Sequence, residues 1–115
     1  MHMSMQRHPE FSVVAADGEL SAYSVDGLID LCSMVPETQP LVIDLRQVSR
    51  LDNAAAGALY EEAYGRRRAT PVAVVIDDPE LIVDLAMQGV HRSALFAPTV
   101  AAAVTMVAGR LTGTS

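Results

Sequence analysis

Lysine is missing from this sequence of 115 residues, and all eight basic residues are arginine. A phosphate-binding P-loop needs its lysine, a Schiff-base enzyme needs one, and a response-regulator receiver carries one near its phosphoacceptor. None of these can be built here in its usual form. Basic residues are also scarce, 8 against 14 acidic ones, for a net charge of −6 with histidine neutral. Nucleic-acid binders gain affinity by releasing counterions from phosphates, which takes a basic face. The only basic run is the short Arg66-Arg67-Arg68, so no nucleic-acid partner is expected. A single cysteine, Cys32, excludes an internal disulfide, and the chain clusters too few ligands for a metal cage. A reducing cytoplasm is the default compartment for such usage. No apolar stretch approaches the ~20 residues that cross a membrane. The amino terminus has no charged-then-apolar leader pattern. Met1-His2-Met3 reads as a tag remnant, and residues 1–10 are expected to be a disordered start.

Half the residues are apolar and the mass is 12.3 kDa. A domain of this size buries roughly two-thirds of the surface its unfolded chain exposes. One domain is expected over residues 11–110, with 111–115 as a tail. Phe11 to Ala16 reads as a strand, and Asp17-Gly18 as a turn signal before a continuation or second strand at Glu19 to Ala22. Ser24 can cap a helix whose stripe is Leu28, Leu31, Cys32 and Val35, ended by Pro36. Leu41 to Leu45 is short, branched and nearly all apolar, as a strand covered on both faces reads. A connection through Ser49 and Arg50 leads to a helix over about 54–68, capped by Asp52 or Asn53, with Leu59 and Ala63 inward. Val72 to Ile76 is a second buried strand. Asp78 caps and Pro79 starts the next helix, whose stripe is Leu81, Ile82 and Leu85 and which Gly89 closes. A short strand at Ala94 to Phe96 and a helix capped by Thr99, with Val100, Ala103, Val104 and Val107 inward, complete the chain. Alternation of this kind predicts an α/β layer fold.

Asp44 and Asp52 lie at or just past the carboxyl end of a buried strand, where open α/β sheets place sites. They read as a carboxylate pair for a metal or acid–base work, or as a turn residue and a helix cap; no third partner supports the former. Asp77 and Asp78 read as a metal pair or, with Pro79 and Glu80, as a helix start. His2, His8 and His91 are scattered and carry no catalytic or metal role. Cys32, on an inner stripe, reads as a small core residue, and Met34, Met87 and Met106 as core fillers. Arg66-Arg67-Arg68 reads as a solvated helix end that suits the helix dipole. No nucleophile elbow, serine–histidine–acid set or glycine-rich phosphate cradle is present. Neither a catalytic residue nor a cofactor is expected.

One segment is unusual. Leu51-Asp52-Asn53-Ala54-Ala55-Ala56-Gly57-Ala58-Leu59 opens a helix with a run of small side chains. Such a run serves tight packing against a sheet, or a smooth surface on which a partner protein sits; the residues alone support both.

In this setting the segment resembles the STAS domain, the fold of bacterial anti-sigma-factor antagonists. There a Val-Ile-Asp-Leu strand leads to Leu-Asp-Ser-Ser-Gly-Leu-Gly at a helix start. Leu41 to Leu45 matches the strand, and Leu51 and Asp52 match the Leu-Asp. Asn53 stands at the first serine, Ala54 at the second, Ala55 at the first glycine and Gly57 at the second. Gly18-Glu19-Leu20 is similar to the family's Gly-Glu-Leu signature. Asp78-Pro79-Glu80 through Gly89-Val90 resembles its third helix. The likeness covers about residues 11 to 108.

The resemblance implies a single STAS-like α/β domain, with a mixed, largely parallel sheet and helices packed mainly on one face. It implies a switch by partner binding rather than catalysis. The unphosphorylated antagonist binds a kinase-type anti-sigma factor and frees the sigma factor. Phosphorylation of the second serine adds nearly two negative charges and breaks the complex. Ala54 has no hydroxyl to accept that group, and Asn53 has none either. The implied partner-binding face comprises Gly18, Glu19, Leu20, Ser21, Ser49, Asp52, Asn53, Ala54, Ala55 and Gly57. Small STAS proteins that serve as cytoplasmic accessory subunits of lipid-transport ABC systems are the alternative. Nearby sigma-factor or transporter genes distinguish the two.

Overall fold

The structure is a computed structural model and describes residues 2–66 and 69–112. Its elements are β1 (Met3–Arg7), β2 (Ser12–Leu20), α1 (Val25–Ser33), β3 (Leu41–Leu51), α2 (Asn53–Arg66), β4 (Val72–Val75), α3 (Pro79–Met87), β5 (Leu95–Ala97) and α4 (Val100–Thr112), with a 3₁₀ turn at Val90–Arg92. One five-stranded sheet runs in the order β1-β2-β3-β4-β5. β1 lies antiparallel to β2, and the other neighbours are parallel.

Side chains alternate across a strand, so each strand feeds two cores. Val14, Ile43 and Val74 face a larger core closed by Leu28 and Cys32 of α1, Leu59 and Ala63 of α2, and Leu81 and Leu85 of α3. Val13, Val42, Ala73 and Val75 face a smaller one closed by Ala103 and Val107 of α4. Three helices thus cover one face and one covers the other. Leu41, Val42 and Ile43 are buried without remainder, as the unbroken apolar run predicts.

Several expectations need correction. Met3–Arg7, placed in a disordered start, forms β1. The reason is visible in Met-Ser-Met-Gln, where apolar and polar residues alternate and Met3 and Met5 pack on the larger core. β2 does not turn at Asp17-Gly18 but runs on to Leu20, with register shifts at Ala15/Asp17 and Gly18/Glu19. Gly18 absorbs the irregularity at φ 78°, where a side chain would be strained. Ser49 and Arg50 belong to β3, because Glu19 and Leu20 of the prolonged β2 pair with Arg50 and Leu51. Met34 and Met87 are exposed, off the stripes that bury Leu28 and Cys32, and Leu81 and Leu85; Met106 does pack on the smaller core. α4 runs to Thr112, so the expected tail begins inside a helix, and residues 113–115 lie outside the described residues.

Arg66 is the largest departure. It is 4% exposed, not solvated. Its guanidinium donates to the carbonyls of Cys32 (3.2 Å), in the last turn of α1, and of Val35 (3.0 Å) and Pro36 (2.9 Å), just past it. Helix ends leave carbonyls without partners, and here a side chain from the next helix supplies the donors. Glu62, one turn earlier, sits 3.7 Å away as counter-ion. Arg67 and Arg68 lie outside the described residues.

Candidate functional site

The carboxyl ends of β2 and β3 lie side by side, with Leu20 paired to Leu51. The chain leaves β2 through a turn into α1 and leaves β3 directly into α2. Gly18–Ser21 and Ser49–Gly57, distant in sequence, therefore meet at one end of the sheet.

Asp52 joins the two exits. Its main-chain N–H donates to the Leu20 carbonyl at 3.1 Å. Its Oδ1 accepts the Ala55 N–H at 2.8 Å, the bond of a helix cap. Its Oδ2 accepts the Ala22 N–H at 3.2 Å, thirty residues back in the chain. One carboxylate thus starts α2 and holds the turn before α1. That turn is further fixed by serines. Ser24 Oγ accepts the Ser21 N–H at 2.9 Å and donates to the Glu19 carbonyl at 3.1 Å, and Ser21 Oγ accepts the Tyr23 N–H at 3.2 Å. Ser24 precedes α1 as expected, but its hydroxyl serves this turn and not the helix N–H groups.

The small residues of α2 divide by helical phase. Ala55, Ala56, Leu59 and Ala63 are buried against the sheet, while Asn53 and Ala54 are exposed and Gly57 is half-buried. A Cβ at Gly57 would meet nothing within 4 Å. The run therefore packs tightly inward and leaves a bare strip outward. Two residues expected to contact a partner are buried and not on the surface: Ala55, on the inward phase of α2, and Leu20, 1% exposed at the end of β2.

Beside the strip lies a groove of about 450 Å³ lined by Glu19, Ser21, Ser49, Arg50, Asp52, Asp78, Glu80 and Asp84 among others. Five of these are carboxylates and one is a cation. Arg50 is only 4.0 Å from Glu19, and both side chains are largely exposed, so the pair offsets little of the charge. The groove favours cations and repels phosphate. Asp78 is engaged as the cap of α3, its Oδ1 accepting the Glu80 N–H at 2.9 Å. Among the described residues no three histidine, cysteine or acidic side chains converge as metal ligands.

Asp44 and Asp52 do not form a pair. Asp44 is gripped by Arg46, which donates from Nε to Oδ1 (3.0 Å) and from Nη2 to Oδ2 (2.9 Å). Burial pushes the Asp44 carboxyl up, but the Arg46 bonds outweigh it and hold the group below its ordinary range. Asp77 adds to the field that keeps Arg46 protonated. His91 is exposed, and His8 stacks on Phe11 at 4.4 Å, away from the site. Cys32 is buried, and burial, followed by the nearby Glu62 charge, pushes its thiol up to about 12. It is a core residue and not a nucleophile.

Two residues escaped the sequence reading. The signal for Arg66 was present, since Leu59, Ala63 and Arg66 recur at the spacing of one buried stripe. Tyr23, 98% exposed on the turn that Asp52 holds, carries no periodic signal at all.

Comparison with known proteins follows the same outline. The family model for the STAS domain matches residues 2–103. An anti-sigma factor antagonist from Mycobacterium paratuberculosis superposes with a TM-score of 0.82 at 24% identity, covering 92% of each chain. The unphosphorylated anti-sigma factor antagonist SpoIIAA superposes at 0.74 with 16% identity, over 94% of this chain and 97% of its own. An uncharacterised protein with a SpoIIAA-like fold from Shewanella loihica PV-4 follows at 0.58 and 13%, covering 92% of each. Among curated proteins no relative matches.

Proposed function

The chain belongs to the STAS domain family, and from that premise we propose that it is an anti-sigma-factor antagonist-like binding domain that regulates transcription without a phosphorylatable serine. The observation that carries this reading is Ala54. It stands exposed in the first turn of α2, two residues past the Asp52 cap, at the position matching the family's second serine. The partner is a kinase-type anti-sigma factor in the cytoplasm. The face it meets comprises Gly18, Glu19, Ser21, Ser49, Asp52, Asn53, Ala54 and Gly57. Asp52 orients the loop, Asn53 offers a polar contact, and Ala54 and Gly57 permit close approach.

A phosphoryl group at this point would bring nearly two negative charges to a surface already lined by five carboxylates. With a methyl group in its place, the domain stays in the binding-competent form. Two solved structures with this fold are anti-sigma factor antagonists, which supports the reading. The domain acts by occupancy and not by catalysis.

Affinity capture from native lysate, with the wild type and Ala54→Glu as baits, tests this. Capture of a kinase-type anti-sigma factor by the wild type and its loss with the variant are expected. Capture of a transport ATPase would replace the reading with that of an accessory subunit of a lipid-transport system. A partner indifferent to the substitution would show that the face is wrong.

A further inference from the structure

Tyr23 is 98% exposed, more than any other large apolar side chain among the described residues. An exposed aromatic ring forgoes burial of roughly 150–250 Å². Its backbone is nevertheless held. The Tyr23 N–H is bound by Ser21 Oγ at 3.2 Å, and the preceding Ala22 N–H by Asp52 Oδ2 at 3.2 Å. The ring therefore stands on a turn tied to the start of α2, one residue from the carboxylate that organises the site. A rigid aromatic on a prearranged backbone is the usual anchor of a protein interface, because little freedom remains to be lost on binding.

The charge around it selects the partner. Glu19 and Asp52 flank the turn, Asp26 lies in the first turn of α1, and Glu80 and Asp84 line the adjoining groove, with Arg50 the one cation there. We propose that Tyr23 is the apolar anchor of the partner-binding face, and that it seats in an apolar pocket rimmed by arginine or lysine side chains on the anti-sigma factor. The proposal rests on the function inferred above and adds the chemistry of the surface the partner presents.

Photo-cross-linking in cells tests it. A benzophenone amino acid is placed at position 23, at position 53 on the same face, and at position 101 on α4 across the sheet. The expected result is a cross-link to a kinase-type anti-sigma factor from 23 and 53, and none from 101. The cross-linked peptide should carry arginine or lysine beside apolar residues. In titrations with that anti-sigma factor, Tyr23→Ala weakens binding about tenfold or more, Tyr23→Phe stays near wild type, and the affinity falls as salt rises. Both variants keep the wild-type melting temperature, since the ring is solvent-exposed. A cross-link from 53 but not from 23, or a Tyr23→Ala affinity equal to wild type, overturns the anchor while leaving the proposed function standing. A cross-link from 23 to a protein of another class, or none from either position, overturns both.

Discussion

The Asp52 carboxylate accepts the Ala22 N–H at 3.2 Å across thirty residues of sequence and so ties the start of α2 to the turn before α1. The same carboxylate caps α2 through the Ala55 N–H at 2.8 Å. Two substitutions separate these bonds. Asp52→Ala removes both, and loss of a cap costs about 1 kcal/mol in urea unfolding. Asp52→Asn keeps a capping oxygen, since asparagine caps as well as aspartate. Its amide, however, leaves one oxygen where the carboxylate has two. Hydrogen exchange should then be fast at both Ala22 and Ala55 in Asp52→Ala, and fast at Ala22 alone in Asp52→Asn. Unchanged protection at Ala22 in both variants would contradict the link.

Arg66 fastens α2 to the end of α1. Arg66→Met takes the guanidinium donor from the Val35 carbonyl, leaves the Cys32 and Pro36 carbonyls only main-chain donors such as the Val35 and Gln39 N–H, and leaves Glu62 without its counter-ion. The expected loss is about 3 kcal/mol in urea unfolding. Arg66→Lys recovers only part of it, because an ammonium cannot reproduce the planar fork. A variant as stable as wild type would show that the buried guanidinium contributes nothing.

Cys32 sets an alkaline limit. Its thiol rises from 9.0 to about 12 on folding, first through burial. A group whose pKa is raised in the folded state contributes stability that is complete below its unfolded value. That contribution is lost as pH climbs toward the folded one. Stability should therefore decline above pH 9 in the wild type and less in Cys32→Ala, after allowance for the constant loss of packing. Labelling of the native thiol at pH 8 should be slow and limited by opening of the fold.

Asp44 works in the opposite direction. Its carboxyl is held below its ordinary value by Arg46, so its contribution is present above that value and fades as pH falls through the folded one. Asp44→Asn should lower the plateau of a stability–pH curve and flatten its acid limb, so that variant and wild type converge as pH falls. An unchanged acid limb would show that the Arg46 grip carries no net free energy.

Much of this molecule was legible from residue patterns. Leu41 to Ile43 announced a strand buried on both faces, Asp78-Pro79 a capped helix start, and Asp52 the cap of the helix that follows β3. What escaped has physical reasons. β1 lies where Met1-His2-Met3 reads as a tag remnant, and its four alternating residues are a short signal, although Met3 and Met5 pack inward. Ser49 and Arg50 resembled a connection because their extension of β3 depends on pairing with Glu19 and Leu20, a long-range contact. The small size of Ala55 reads directly from sequence, whereas the helical phase that buries it is set by the Asp52 cap. Tyr23 was silent because exposure is a property of the assembled turn.

The most direct test of a permanently competent antagonist is retention on its partner in the presence of ATP. The kinase-type anti-sigma factor is immobilised, loaded with wild type or Ala54→Ser, and washed with ATP and magnesium. Wild type should remain bound without incorporating phosphate, while Ala54→Ser should be phosphorylated at position 54 and released. ATP-dependent release or phosphorylation of the wild type would contradict the account.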